Sequence, residues 1–428
     1  MTDVTLQRPV GRFQAQLRPA RLRASSPYLP LGPWTDERVA EVGERLQQQI
    51  YGSIPRLTPL RVTERRAVAS DRLGAAAIVE HWQVELVDAR GPMRFGLFLI
   101  LPRAAAPRAI ILAQLFRRPP FFVDRIEQAL VADGSAQRRS RLGDAMLEIV
   151  LGRHIHAPPF EQVVQGGFGI ALYCPGDIVP DHKERAPAIL ERLSASPNAD
   201  ERAGALAGWA ALTSAVRRLL NEDERVGGAP IVAWGHSRHG KAALLAAAFD
   251  QGFAGVIAHQ SGRFGASLTH GASGEAPAQI ARAYPHWFCV RFHNETLHRW
   301  PHDIDQHHLL ALIAPRPILL GNGRRDFWAD PEGAFRAARA ASEAFTPYGQ
   351  PGLLQLESSR PNLEGGIVFF TRAGGHGVNG ADWRYFLAFL EAKFAAAATG
   401  PSNPGTLGAQ SSNKVTEPVR RRRSWRKA

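Results

Sequence analysis

The sequence contains few cysteines, and it has neither a long hydrophobic segment nor a signal-like start. Its 428 residues include two cysteines, Cys174 and Cys289, both in apolar stretches. Two are too few for a zinc site of thiolates, and buried free thiols are expected in a protein that is not secreted. No apolar run reaches the roughly 18 residues of a membrane-spanning helix, so no membrane span is expected. The first residues lack the apolar stretch of a secretory signal, which predicts a cytoplasmic protein.

Positive charge is concentrated at the two ends of the chain. The net charge is +13 at pH 7. The last fifteen residues hold seven Lys or Arg against one Glu, and residues 1–23 hold five Arg against one Asp. A nucleic-acid-binding domain normally carries its basic charge on a folded face. We therefore do not expect the body of this chain to bind nucleic acid.

Motifs for metals and nucleotides are also missing. Residues 293–308 include five histidines, but their spacing fits no single helix face and no H-E-x-x-H is present. The glycines of VQGGFG (164–169) do not form the G-x-G-x-x-G that opens a nucleotide-binding helix. We expect neither a metal nor a cofactor.

Strands alternate with helices along most of the chain. Continuous apolar runs such as residues 108–116 are typical of buried parallel strands. The alternation predicts an α/β fold, with a mostly parallel central sheet flanked by helices in a three-layer α-β-α sandwich. We predict an N-terminal arm (1–33), one domain (34–398) with an insertion or cap at 117–160, and a disordered basic tail (399–428).

The segment APIVAWGHSRHGKAALLAAAFD (229–250) places a serine between an apolar strand and an alanine-rich helix. This pattern predicts the nucleophile elbow of an α/β-hydrolase, whose sharp turn lifts the hydroxyl of Ser237 clear of the sheet. The usual motif is G-x-S-x-G, whereas here His239 occupies the last position and Gly240 follows. The alternative interpretation is a serine that caps a core helix.

A serine nucleophile requires a base and an acidic partner, which this fold supplies in the chain order Ser, acid, His. The segment RRDFWADP follows a predicted strand and offers Asp326 and Asp330. The segment RAGGHGV follows the last predicted strand and places His376 on a glycine-rich loop. Asp330 stands where an N-cap of the next helix would stand, so we favour Asp326 as the acid.

Six segments resemble the bacterial glucuronoyl esterases of carbohydrate esterase family 15. They read GHSRHGKAAL, FGIALYCPGDIVPDH, YPHWF, DQHHLLALIAPRPILL, DFWADPEGAF and GGHGVNGADWRYFLAF, and the similarity as a whole is colinear from about residue 30 to 395. The resemblance implies a metal-free serine esterase. It also implies cleavage of the ester between a 4-O-methyl-glucuronic acid on xylan and a lignin alcohol.

The resemblance implies roles for side chains around the serine. It gives Ser237 as nucleophile and His376 as base. It also implies an arginine that adds to the oxyanion hole, a lysine that holds sugar hydroxyls, a sugar-binding glutamate and a tryptophan near the sugar. These four residues are Arg238, Lys241, Glu275 and Trp328. A guanidinium at this helix N-terminus is otherwise unfavourable, which favours an electrostatic role for Arg238.

Gln260 departs from the family pattern. Many members place the acid of the triad directly after the sixth strand, in a segment like AHQSGRFG of this chain. An amide cannot carry the negative charge that stabilises an imidazolium, so that charge must come from Asp326. Gln260 can still hold the histidine by a hydrogen bond, and we count it with the substrate-binding residues.

We predict a serine carboxylic-ester hydrolase that acts on small or oligomeric uronic-acid esters through an acyl-enzyme. A second interpretation keeps the triad but changes the substrate to other small carboxylic esters, because a cytoplasmic enzyme would not meet polymeric lignin and xylan. A third is a catalytically silent carbohydrate-binding relative, which Gln260 and the extra Arg263 would explain.

Overall fold

A computed structural model describes residues 29–70, 73–116, 152–155, 157–194, 196, 198–270, 273–299 and 303–394. The predicted arm up to residue 28, residues 117–151 of the predicted insertion and the predicted basic tail lie outside the described residues. The end of the predicted arm is already packed, because Leu31 is buried in the core.

The strands of the described residues form one sheet. In chain order they are β1 (Arg61–Ala67), β2 (Ala77–Asp88), β3 (Gly91–Pro102), β4 (Ile110–Gln114), β5 (Gly169–Tyr173), β6 (Ile231–His236), β7 (Gly255–His259), β8 (Ile318–Gly323) and β9 (Ile367–Arg372). Their spatial order is β1-β2-β3-β5-β4-β6-β7-β8-β9. Strands β1 to β3 pair antiparallel, as do β3 and β5, and every pair from β5 to β9 is parallel.

Helices cover both faces of this sheet. In the described part of the chain they are α1 (Asp36–Leu46), α2 (Phe160–Gln165), α3 (Ala186–Leu193), α4 (Ala205–Asn221), α5 (Arg238–Phe249), α6 (Pro277–Ala283), α7 (Gln306–Ala311), α8 (Pro331–Ala341) and α9 (Gly380–Phe394). None of these helices combines the length and the hydropathy that crossing a membrane requires.

Two hydrophobic cores sandwich the sheet. Side chains of α4, α5 and α8 pack in one core, and side chains of α2 and α9 pack in the other. Successive residues of β4 alternate between them, so that Leu112 enters the first core while Ile111 and Ala113 enter the second. Burial on both faces explains the continuous apolar runs, and the predicted three-layer α-β-α sandwich is confirmed.

The sequence TDERVAEVGERLQQQIYG (35–52) predicts a helix with Thr35 as its N-cap and Gly52 at its end, and helix α1 begins in that way. The hydroxyl of Thr35 accepts a hydrogen bond from the backbone N–H of Arg38 at 3.3 Å. A short π-helical turn (Gln47–Tyr51) continues α1 to Gly52, whose φ of +79° suits the glycine predicted to end the helix.

Helix α4 begins later than expected. The sequence predicts a helix from Asp200, but α4 starts at Ala205 after a separate 3₁₀ turn (Ala199–Glu201). The backbone is extended at Gly204, where a Cβ atom would lie 2.2 Å from the carbonyl oxygen of Trp287. Close packing at this glycine therefore separates the two helical segments.

The carboxyl ends of the parallel strands bring the predicted functional residues together. Ser237 follows β6 and Gln260 follows β7, and these two strands are neighbours. Asp326 lies three residues after β8, and His376 lies four residues after β9. Because parallel strands end at the same edge of a sheet, residues far apart in sequence reach one site.

Candidate active site

Ser237 occupies a strained turn between β6 and α5. Its φ and ψ angles are 57° and −123°, a left-handed conformation that non-glycine residues rarely adopt. The backbone N–H of Ser237 donates to the carbonyl oxygen of His259 on β7 at 2.8 Å, which anchors the turn. The side chain makes no capping hydrogen bond to helix α5, so the alternative of a helix-capping serine is not supported.

Two glycines allow this turn to close. A Cβ atom at position 235 would lie 2.1 Å from the carbonyl oxygen of His239, so only glycine fits there. At Gly240 a Cβ atom would lie 3.1 Å from the Gly235 carbonyl oxygen. The side chain of His239 is buried between the rings of Phe116 and Trp209, with centroids at 4.6 and 5.2 Å. The close approach thus involves Gly240, one residue later than in the usual motif.

His376 and Asp326 form a hydrogen-bonded pair. The Nδ1 atom of His376 lies 2.7 Å from Oδ2 of Asp326. The carboxylate is fully buried, whereas the imidazole side chain is 27% exposed. An ionised carboxylate can only accept, so Nδ1 carries the proton and Nε2 is left as the basic nitrogen.

His236 connects this imidazole to the serine turn. It directly precedes Ser237, and its ring centroid lies 4.6 Å from that of His376. Burial, reinforced by the nearby His376, holds the pKa of His236 well below its ordinary value. A neutral His236 brings no competing charge to the imidazole of His376.

Asp330, the alternative acid, lies elsewhere. Its Oδ1 atom accepts hydrogen bonds from the backbone N–H of Gly333 at 3.0 Å and from the hydroxyl of Ser273 at 2.6 Å. Asp330 therefore caps helix α8. The carboxylate that meets His376 is that of Asp326.

Arg238 is held by an ion pair and by aromatic rings. Its guanidinium is paired with the carboxylate of Asp181. The guanidinium carbon also lies 5.5 Å from the ring centres of Phe116 and Tyr284 and 5.2 Å from that of Trp287. Such cation–π contacts fix the orientation of the cation next to Ser237.

Asp181 is a functional candidate that sequence reasoning missed. Its Oδ1 atom accepts hydrogen bonds from Nε2 of His286 and Nε1 of Trp287, both at 2.8 Å. Burial, with help from Arg238, lowers the pKa of His286 to about 4, so this imidazole donates in its neutral form. The available signal was the position of Asp181 in the loop after β5, at the same edge of the sheet as Ser237.

Replacing Asp181 by asparagine should lower kcat/KM about 10- to 100-fold, the effect of losing one charge-assisted hydrogen bond. The amide still accepts from His286 and Trp287, but its NH₂ group faces the guanidinium of Arg238 and repels it. Steady-state kinetics of D181N, R238A and the double variant measure this effect. The double variant should be no slower than R238A alone, and additive losses would contradict the assignment.

Lys241 lies in the first turn of α5 and is buried. Its Nζ atom donates to the backbone carbonyl oxygens of Ser261 and of Arg263, the latter at 2.6 Å. Burial lowers the pKa of Lys241 to about 8, although the nearby carboxylate of Glu275 opposes this shift.

Glu275 and Trp328 are neighbours in the structure. The backbone N–H of Glu275 donates to the carbonyl oxygen of Trp328 at 3.1 Å. Glu275 is buried, whereas Trp328 is half-buried. The carboxylate of Glu275 also acts on the ammonium of Lys241, whose pKa it raises.

Gln260 is placed differently from the expectation that it lines the substrate site. It is 1% exposed, and its φ is +48°. Its amide is engaged by the backbone of Gly375 and Gly377, on either side of His376. The hydrogen bond expected to the histidine is thus made to its loop.

The histidine-rich segment contributes to the core. His307 and His308 lie on α7 and are buried. Among the described residues, no group of three or more His, Cys, Asp or Glu side chains is arranged to hold a metal ion.

A serine in a strained turn after a central parallel strand, with a His–Asp pair at the ends of two following strands, defines an α/β-hydrolase. A family model described as "Glucuronyl esterase, fungi" matches residues 198–349. Carbohydrate esterase MZ0003, from an unknown prokaryotic organism, is 30% identical over 371 residues, which cover 84% of each protein.

Solved structures show the same relationship. A promiscuous CE15 esterase from a marine bacterial metagenome superposes with a TM-score of 0.72 and 27% identity, over 87% of this chain and 98% of that one. A glucuronoyl esterase from Solibacter usitatus superposes with a TM-score of 0.71 and 25% identity, over 88% of this chain and 100% of that one. The chain belongs to the glucuronoyl esterases of carbohydrate esterase family 15, and it is a carboxylic ester hydrolase.

Proposed function

We propose that the chain hydrolyses esters of 4-O-methyl-glucuronic acid through an acyl-enzyme on Ser237. The observation that carries the proposal is the 2.7 Å contact of His376 with Asp326, at the sheet edge where Ser237 follows β6. A base whose second nitrogen is held by a buried carboxylate is the arrangement that activates a serine hydroxyl.

In the first step the Oγ atom of Ser237 attacks the ester carbonyl carbon and its proton passes to Nε2 of His376. The carbonyl oxygen becomes an oxyanion, which the guanidinium of Arg238 stabilises. His376 then gives the proton to the alcohol oxygen, and the bond between this oxygen and the carbonyl carbon breaks. The alcohol leaves, and the uronic acid remains esterified to Ser237.

In the second step water replaces the alcohol. It attacks the acyl carbon, transfers a proton to Nε2 of His376, and forms a second oxyanion at the same place. The bond to Ser237 breaks, and Oγ recovers its proton from His376. The products are the free uronic acid and the original enzyme.

The three side chains that the resemblance assigns to the sugar have suitable chemistry. Lys241 uses two of its three N–H groups on backbone carbonyls, so one remains for a sugar hydroxyl. The carboxylate of Glu275 accepts from hydroxyl groups, and the half-buried ring of Trp328 offers a face to the pyranose ring.

A panel of esters tests this function on the full chain. The substrates are the methyl and benzyl esters of 4-O-methyl-glucuronic acid, the methyl ester of galacturonic acid, and 4-nitrophenyl acetate. The expected result is a kcat/KM for both glucuronate esters that exceeds the other two. A fluorophosphonate that labels serine nucleophiles reports independently whether Ser237 is reactive.

A second candidate function is supported by one relative. The marine metagenomic esterase is described as promiscuous. Turnover of the acetate ester alone would favour a general esterase, and the absence of both turnover and phosphonate labelling would favour a silent binding protein.

The KM for a glucuronate ester should rise about tenfold as the pH increases through the pKa of Lys241. A tenfold change corresponds to the loss of one charge-assisted hydrogen bond. Below a pH of about 8 the ammonium has three N–H groups. Above it the neutral amine has two, and the backbone carbonyls already use two. The measurement is KM from pH 6.5 to 9.5.

Two variants control this experiment. Lys241→Met should show a high KM that no longer changes with pH. Lys393→Met is the control, because burial also lowers the pKa of Lys393. Lys393 donates to the carbonyl oxygen of Glu364, before the amino end of β9. Lys393→Met should show the same rise of KM with pH as the wild type. A wild-type KM that does not change with pH would refute the role of Lys241.

A further inference from the structure

The side chain of Gln260 joins the two sides of the loop that carries His376. Its Oε1 atom accepts from the backbone N–H of Gly377 at 2.7 Å, and its Nε2 atom donates to the carbonyl oxygen of Gly375 at 2.9 Å. The backbone N–H of Gln260 donates to the Gly321 carbonyl oxygen on β8 at 2.8 Å. The amide is therefore fixed to the sheet at one end and to both neighbours of His376 at the other.

Arg372 holds the same loop from the end of β9. Its guanidinium donates to the carbonyl oxygens of Gly375 at 2.9 Å and Gly377 at 2.6 Å. Its Nε atom bonds the fully buried carboxylate of Asp382 at 2.9 and 3.1 Å. Side-chain donors thus satisfy both carbonyl groups that flank His376.

We propose that Gln260 is a positioning residue for His376, and that this position requires an amide. The proposal rests on the proposed function, because positioning matters only if His376 acts as the base. The amide fixes the loop that holds the imidazole of His376 against Asp326, with the ring of His236, the residue before Ser237, 4.6 Å away.

An ionised carboxylate at position 260 would not replace this amide. One of its oxygens could accept from Gly377, but the other would face the Gly375 carbonyl oxygen at hydrogen-bond distance with no proton between them. Two acceptors so placed repel each other in a buried site. The loop conformation seen here therefore disfavours an ionised carboxylate at position 260 and leaves the negative charge to Asp326.

Gln260→Met keeps the length and the apolar stem of the side chain but removes both polar ends. Its kcat should fall about 10- to 100-fold with little change in KM, because a displaced base slows chemistry rather than binding. Fluorophosphonate labelling of Ser237 should slow by a similar factor. Gln260→Glu should be at least as slow as Gln260→Met at a pH where its carboxyl group is ionised.

Gln355 provides a matched control. Its Oε1 atom accepts from the backbone N–H of Phe369 at 3.0 Å, and its Nε2 atom donates to the Phe369 carbonyl oxygen at 2.8 Å. This amide therefore also clamps backbone, but it does so at Phe369 within β9, before the loop of His376 begins. Gln355→Met should lower Tm while leaving kcat and labelling unchanged.

Either of two kinetic results would overturn the proposal. One is wild-type kcat and labelling in Gln260→Met. The other is a double variant, Q260E/D326N, that is faster than D326N alone, which would show that a carboxylate at 260 can serve as the acid.

Failure of the proposed function is distinguishable from failure of this inference. If the wild type hydrolyses no glucuronate ester, labelling rates of the same variants still test the role of Gln260. Hydrogen–deuterium exchange of residues 373–379 tests the clamp without any activity. Exchange should be faster in Gln260→Met than in the wild type, and unchanged exchange would contradict the inference.

Discussion

Replacing Ser237 by alanine should lower kcat for a glucuronate ester by a factor on the order of 10⁶, because no other atom can carry the acyl group. Folding should be unaffected, since the Ser237 side chain makes no capping hydrogen bond to α5. The strained backbone is fixed by the N–H bond to His259 and by the glycines at 235 and 240, all of which the substitution retains. Steady-state kinetics and thermal unfolding measure the two effects.

Thr35→Ala is the matched control for Ser237→Ala. Its hydroxyl does cap a helix, through the N–H of Arg38. Thr35→Ala should therefore cost about 1 kcal/mol of stability while leaving turnover unchanged, the reverse of the result for Ser237. Residual hydrolysis in Ser237→Ala at more than a thousandth of the wild-type rate would refute the nucleophile assignment.

Replacing Asp326 by asparagine should lower kcat by about 10⁴-fold, for two reasons. The amide cannot stabilise the imidazolium that forms when His376 takes the serine proton. Its NH₂ group can also donate to Nδ1, which moves the imidazole proton to Nε2 and removes the basic nitrogen. KM should change little, because Asp326 is fully buried beneath the imidazole. Steady-state kinetics at saturating ester measure the effect on kcat directly.

Asp330 supplies the control for this experiment. Asparagine is also a good N-cap residue, so Asp330→Asn should keep both stability and turnover. Asp330→Ala should lose about 1 kcal/mol of stability and still turn over ester. The prediction also ranks the variants, with Asp326→Asn slower than any single change at Gln260, and the reverse order would refute Asp326 as the acid.

Local patterns in the sequence were sufficient to predict much of the fold. The buried runs of β4 to β9 and the Thr35 cap are readable from neighbouring residues alone, because burial on two faces and helix capping are short-range requirements. The start of α4 was not readable, since it depends on the packing of Gly204 against Trp287, 83 residues away. The predicted cytoplasmic location stays a prediction.

The candidate active site, like the fold, could be predicted from the sequence only in part. The strand–serine–helix pattern and the glycines around His376 indicated a nucleophile and a base, and the resemblance to family 15 supplied Arg238, Lys241, Glu275 and Trp328. The sequence could not indicate that Asp181 pairs with Arg238 or that Gln260 clamps the loop of His376. These contacts join segments 57 and 115 or more residues apart.

The sequence by itself determined the class of fold, the nucleophile turn and the family, because each depends on residue types in short, ordered segments. Only the tertiary structure decided which carboxylate meets the imidazole and what each remaining polar side chain holds. The physical reason is that hydrogen bonds form over about 3 Å, and such proximity between distant segments exists only after the strands have paired.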